Sequence, residues 1–210
     1  MEISEQIKEV LRNHNGLEYH LEKNELCGNL ILPDGDSYEV LMKLDPYPRF
    51  FPTVYETGGR IPIKLDRHMY TDSGSCCFTT GAKSQVLLKT EITSILKFID
   101  EIALRYFENN SYFEINGKYF NSEYSHGSLG VVQSYQDILG VNDNKSIALL
   151  MLQRLKNKKL RIRDLCYCNS GQTLKRCSNG LHSRNYRKFR FIDKGVLNND
   201  INHFKRVLGF

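Results

Sequence analysis

The chain has 210 residues, 40% hydrophobic and 25% charged, with a net charge of +5, a balance that fits one ordinary core plus a small appendage. No stretch approaches the roughly 18 apolar residues of a bilayer span, and Met1-Glu2-Ile3-Ser4-Glu5 lacks the basic-then-apolar order of a signal peptide, so a cytoplasmic location and no membrane partner are expected. Six cysteines in such a chain favour metal binding and thiol chemistry over a disulfide framework.

In chain order, Glu5 to Asn13 places Ile7, Val10 and Leu11 at helical spacing, with Ser4 as N-cap and Asn15-Gly16 as the stop. Leu17–Leu21, Leu26–Leu32 and Tyr38–Leu44 read as strands, the last two joined by the turn Pro33-Asp34-Gly35-Asp36. Val40, Met42 and Leu44 alternate with Glu39, Leu41 and Lys43, which predicts one buried face and one mostly wet face. A fourth strand at Thr53–Glu56 completes an antiparallel meander. Prolines 46, 48, 52 and 62 fix φ and remove donors, so the chain around them runs as edge strand and rigid loop. Thr90 to Phe107 carries one apolar stripe from Ile92 to Tyr106, a helix suited to lie beneath that loop. Asn109–Ser128 reads as a structured connection, Leu129–Leu139 and Lys145–Leu155 as helices, and Val196–Leu208 as a final amphipathic helix. The order suits an α+β architecture.

Two clusters carry chemistry. Gly74-Ser75-Cys76-Cys77-Phe78 places a thiol pair in the pinned loop, with His68 upstream. Acyl transfer by cysteine needs a thiolate, partial exposure and a donor for the oxyanion. Free cysteines are also common as small buried hydrophobes, and a Cys77–His68 hydrolase dyad is a further alternative. Asp66, Arg67 and Asp72 read as solvated loop charges. No G-x-G-x-x-G or P-loop is present, so either the activating enzyme is another protein or the acyl donor arrives by another route.

The second cluster is Cys166, Cys168, Cys177 and His182, three thiols and an imidazole, a common set for structural Zn²⁺; a decayed knuckle that holds metal poorly is the alternative. It lies in a stretch where twelve Lys and Arg between 154 and 190 face one acid, Asp164. Those charges, interleaved with Tyr167, Tyr186, Phe189 and Phe191, admit an acidic protein partner or, less favoured, nucleic acid.

Tyr47-Pro48, Pro52, Val54, His68, Gly74 and Cys77-Phe78 resemble the signature of ubiquitin-conjugating enzymes, and Glu56 to Pro62, Asp66-Arg67-His68 and Glu123-Tyr124-Ser125-His126-Gly127 extend the likeness to its bacterial branch, found in anti-phage CBASS operons. The resemblance implies a UBC-like four-stranded meander flanked by helices over residues 1–126, a helical extension over 127–160, and a basic zinc-binding segment over 161–210. It also implies that Cys77 forms a thioester, that Gly74 and Ser75 shape its loop, that His68 orders it, and that the partner is a CD-NTase, a cGAS-like nucleotidyltransferase with a C-terminal tail. A catalytically silent adaptor on the same fold is the alternative. The family's usual asparagine after the histidine is replaced by Met69-Tyr70-Thr71-Asp72, so Thr71, Ser73, Ser75 or a backbone N–H must serve the oxyanion. His126 reads as a packing or capping device. Cys166-Tyr167-Cys168-Asn169-Ser170-Gly171 with Cys177 resembles the SEC-C motif, whose fourth ligand directly follows the third; here Ser178 holds that place and His182 lies further on.

Overall fold

The computed structural model describes residues 2–120 and 125–209. Glu123 and Tyr124, which open the Glu123–Gly127 cluster, therefore lie outside the described residues. The chain divides into two compact units, Met1–Phe78 with Leu88–Glu123, and Thr79–Leu87 with Tyr124–Phe210. It is a mixed α and β protein with a four-stranded antiparallel sheet in the first unit.

In the first unit, α1 (Ile3–Asn13) precedes a meander of β1 (Leu17–His20), β2 (Glu25–Ile31), β3 (Ser37–Lys43) and β4 (Thr53–Glu56) in sequential order. Ser4 lies inside α1, and Glu2 takes the cap position. The expected alternation holds: Val40 and Met42 are buried and pair with Gly28 and Leu26 across β2. Gly16 and Gly28 are required at the first strand pair, because a Cβ on Gly16 would lie 2.3 Å from the Asn29 carbonyl oxygen and one on Gly28 2.3 Å from the Gly16 carbonyl oxygen.

The apolar face of the sheet is closed by α3 (Ile95–Phe98), a π-helical turn (Ile99–Ala103) and α4 (Leu104–Asn116). The expected Thr90–Phe107 helix thus starts later, where Ser94 accepts from the Lys97 N–H at 3.2 Å, and runs on through part of the expected connection to Asn116. Tyr38 and Phe107 meet at 4.8 Å between sheet and helix, and Phe51 and Phe98 at 5.0 Å. The buried Gln6 side chain ties three segments, accepting from Tyr47 Oη at 3.1 Å and from the Ile95 N–H at 2.9 Å. Arg60 grips Asp36 with both terminal nitrogens, at 2.8 and 2.9 Å, and donates to Glu114 at 2.8 Å while lying over the Tyr38 ring. This geometry holds the Asp36 carboxyl well below the usual carboxylate range, chiefly through the Arg60 hydrogen bonds.

A helix that the sequence pattern does not announce, α2 (Gly81–Thr90), straddles the division between units. The second unit packs its N-terminal part with α5 (Gly127–Leu139), α6 (Asn144–Leu155), α7 (Leu181–Phe189) and α8 (Lys194–Leu208) around one apolar core. Cys166, Tyr167, Leu174 and Cys177 belong to that core together with Tyr135, Met151, Phe189 and Phe204. The stretches 127–160 and 161–210 therefore share their buried surface. Among the described residues no helix is long and apolar enough to cross a membrane.

Candidate functional site

The loop that bears the thiol pair is hung on the outer edge of the sheet. The Cys76 N–H donates to the Val54 carbonyl of β4 at 2.8 Å, and Met69 and Cys76 pair as an isolated antiparallel bridge. The Cys77 N–H donates to the His68 carbonyl at 2.7 Å, and the Tyr70 N–H to the Ser75 carbonyl at 2.8 Å. Residues 68–77 thus form a tight hairpin whose turn is closed by the Gly74 N–H on the Tyr70 carbonyl at 2.7 Å.

Consecutive residues of an extended segment point to opposite sides, and here the consequence is chemical. Cys76 faces inward beside Met69 and is 5% exposed, whereas Cys77 is half-buried. Burial, aided by the nearby Glu56 carboxylate and partly opposed by a Tyr106 hydrogen bond, pushes the Cys76 thiol up to about 12. Cys76 is therefore a packed, protonated thiol, and Cys77 is the sulfur a reagent can meet.

Tyr70 stands beside Cys77. Its hydroxyl is held above its ordinary pKa, first by burial and then by the charge of Cys77 and a hydrogen bond to it. This residue carries no signal in the sequence, because it becomes a diagonal neighbour of Cys77 only once the register Met69↔Cys76 is known. Tyr106, buried beneath the loop, donates to the His68 carbonyl at 3.0 Å and packs its ring on Phe78 at 5.1 Å.

His68 orders the loop through its backbone. It adopts the left-handed conformation (φ 50°), caps the short turn Leu65–Arg67, and offers its carbonyl to both Cys77 and Tyr106. Its ring meets the edge of Tyr119 at 5.3 Å. Ser75 is buried and shares a 2.8 Å hydrogen bond with Ser73, so the two hydroxyls form one pair. Asp66 and Asp72 are exposed as expected, but Arg67 is not a solvated charge: it is buried, donates twice to Asn110 Oδ1 (2.9 and 3.2 Å) and lies over Phe113. A delocalised guanidinium tolerates such burial when bonded in this way. His126 is exposed at the cap position of α5, without a side-chain cap bond.

In the second unit Cys166, Cys168, Cys177 and His182 bring their ligand atoms within 4.8 Å of one another. Cys166 and Cys168 come from a short hairpin fixed by the bridge Leu165↔Thr173 and by the Cys166 N–H on the Gln172 carbonyl at 2.9 Å. Asn169 and Gly171 turn it in left-handed conformations. Cys177 follows on a turn, its N–H bonded to the Thr173 carbonyl. Ser178, Asn179 and Gly180 are then all left-handed, and this run re-aims the chain so that α7 starts with His182 in its first turn.

The imidazole Nδ1 lies 3.3 Å from Cys166 Sγ and 3.2 Å from Cys177 Sγ, and Cys168 and Cys177 sulfurs are 3.4 Å apart. With metal–sulfur bonds of about 2.3 Å, a tetrahedral ion needs sulfur–sulfur edges of about 3.8 Å; the separations here start at 3.2 Å and all fall within 4.8 Å, a span that brackets that edge. Ser178 Oγ stands 3.4 Å from His182 Nε2, the position of an outer partner rather than a ligand. Burial pushes the Cys166 thiol up to about 12; against the same effect, hydrogen bonds from Ser170, Cys177 and Cys166 draw Cys168 down to about 6. No family model, curated protein or solved structure matches the chain.

Gly74 has φ +70°, and a Cβ there would approach Ile63 Cδ1 to 3.2 Å. Gly74→Ala is expected to cost about 1–2 kcal/mol through the left-handed backbone, measured by urea unfolding. An unchanged unfolding midpoint would show that the turn is not held in this conformation.

Proposed function

We propose that the protein is a ubiquitin-conjugating-enzyme-like cysteine acyltransferase of the bacterial branch described above, with Cys77 as its nucleophile and a structural zinc in the second unit. The observation that carries the reading is the opposite fate of two adjacent thiols, Cys76 packed and protonated, Cys77 half-exposed on a loop fixed by its own backbone. The helix–meander–loop–helix order and the Tyr70 hydroxyl beside the sulfur support it.

In the proposed reaction the Cys77 thiolate attacks the carbonyl of an activated C-terminus. A C–S bond forms and the activating group leaves with its electron pair. An amine then attacks the thioester, the C–N bond forms, the C–S bond breaks back to thiolate, and the amine loses a proton. A hydroxyl aimed at the sulfur, as Tyr70's is, is suited to steady negative charge there and on the adjacent oxyanion. The activating enzyme is a separate protein, and the partner is a CD-NTase whose C-terminal tail is donated or whose activity is regulated, in anti-phage defence. The catalytically silent adaptor remains the second reading.

The test is an adduct. Incubated with the CD-NTase and an activating enzyme, the wild-type chain is expected to form a covalent species that reductant cleaves; Cys77→Ala abolishes it while pull-down of the partner persists, and Cys77→Ser converts it to a reductant-resistant ester. Persistence of the reductant-sensitive species in Cys77→Ala contradicts the proposal, and binding with no adduct in any variant leaves the adaptor.

Zinc, when bound, supplies a divalent charge that holds three thiolates and an imidazole together. The knuckle would contribute folding energy through it, while α5, α6 and α8 have apolar burial of their own. We expect one zinc per chain by elemental analysis. Cys177→Ser should lose the metal and more than about 4 kcal/mol of stability, with amide protection lost first over 165–182. A metal-free chain of unchanged melting temperature would identify a decayed knuckle.

A further inference from the structure

The second unit holds 17 Lys and Arg against 5 Asp, whereas the remainder of the chain holds 12 against 19 Asp and Glu. Nothing in the acyl-transfer chemistry requires that division. The excess is concentrated in 154–190, where ten of the twelve cations are exposed.

The fold gathers these charges on one framework. The Lys175 N–H bonds the Ile162 carbonyl at 3.0 Å and the Leu174 N–H bonds the Asp164 carbonyl at 2.9 Å, which sets Arg161 and Arg163 alongside Lys175 and Arg176. The Leu160 N–H donates to Tyr186 Oη at 2.9 Å, and Arg154 donates to the Arg190 carbonyl at 2.7 Å, which ties that ribbon and α6 to α7 with its Arg187 and Arg190. Of the unit's five carboxylates, Asp164 lies in the ribbon itself and accepts from the Arg161 N–H at 2.6 Å, while Asp137 pairs with Lys83, Asp143 accepts from Ser146, Asp193 from Gln85 and Asp200 from Tyr135.

The interleaved aromatics have a different role from the one the sequence suggests. Tyr167, Tyr186 and Phe189 are core residues, and Phe191 alone of the four is exposed, at 42%. A stacking platform for unpaired bases is therefore missing from this face. A protein–protein interface is normally anchored by aromatic side chains and depleted in lysine, which this face also does not match. What remains is a rigid, arginine-rich array suited to phosphate oxygens.

We propose that this face binds duplex nucleic acid through its phosphate backbone, without reading sequence. Fluorescence anisotropy of the full chain with a labelled duplex of about 20 base pairs tests it. Affinity is expected to fall by at least about 100-fold between about 50 and 200 mM salt, with duplex preferred to single strand of equal length. Replacing Arg161, Arg163, Lys175 and Arg176 together by alanine should reduce the slope of log affinity against log salt by about 3–4. Replacing the three arginines by lysine should preserve the slope, and an unaltered melting temperature and metal content verify the alanine variant's fold. An unchanged slope in the alanine variant overturns the proposal, as does tighter binding to single strand. Competition by polyglutamate as effective as that of duplex would instead assign the face to an acidic protein.

Discussion

One backbone pairing decides which of two adjacent thiols is packed, the bridge between Met69 and Cys76 on the outer edge of β4. Because side chains alternate along an extended segment, fixing residue 76 inward places residue 77 on the opposite side, where it is half-buried. A slip of one residue would exchange the two thiols. The pairing is backed from several sides: Val54 accepts from Cys76, His68 from Cys77, and Tyr106 reaches from α4 to the His68 carbonyl. Each such bond contributes only about 1 kcal/mol net, but they converge on the same ten residues, and the buried Arg67 anchors the start of the hairpin to Asn110.

The second unit solves a different problem. Three thiols and an imidazole within 4.8 Å form a poor apolar cluster and a donor set within metal-binding distance. The chain reaches that arrangement with a hairpin, a turn and three successive left-handed residues, the last of which is glycine. Isolated, the segment would bury little; in place, Cys166, Tyr167, Leu174 and Cys177 complete a core built by helices on both sides of it in the sequence. The Tyr167 hydroxyl, donating to the Leu139 carbonyl at the end of α5, fastens the knuckle to that frame.

The meander was legible because its strands alternate cleanly and its turn, Pro33 to Asp36, has one chemical meaning. The thiol pair, Gly74 and the four-residue cluster could likewise be named from spacing. Less visible were α2 and α7. In α2 the buried side chains include Ser84 and Gln85, the latter satisfied by Asp193 more than a hundred residues away, so no apolar stripe marks the helix. In α7 the inward positions are His182, Tyr186 and Phe189, at helical spacing, but among so many cations they look like a binding surface. Arg67 reads as a solvated charge and Tyr70 as a loop residue for a related reason: their partners, Asn110 and Cys77, are set by tertiary pairing that local pattern does not encode.

The central claim is that two neighbouring sulfurs live in opposite environments. Brief alkylation of the folded chain with iodoacetamide near pH 8, followed by peptide mass spectrometry, measures this directly. The account predicts rapid labelling of Cys77 and protection of Cys76 until the chain is unfolded. Equal labelling of both, or preferential labelling of Cys76, would contradict it.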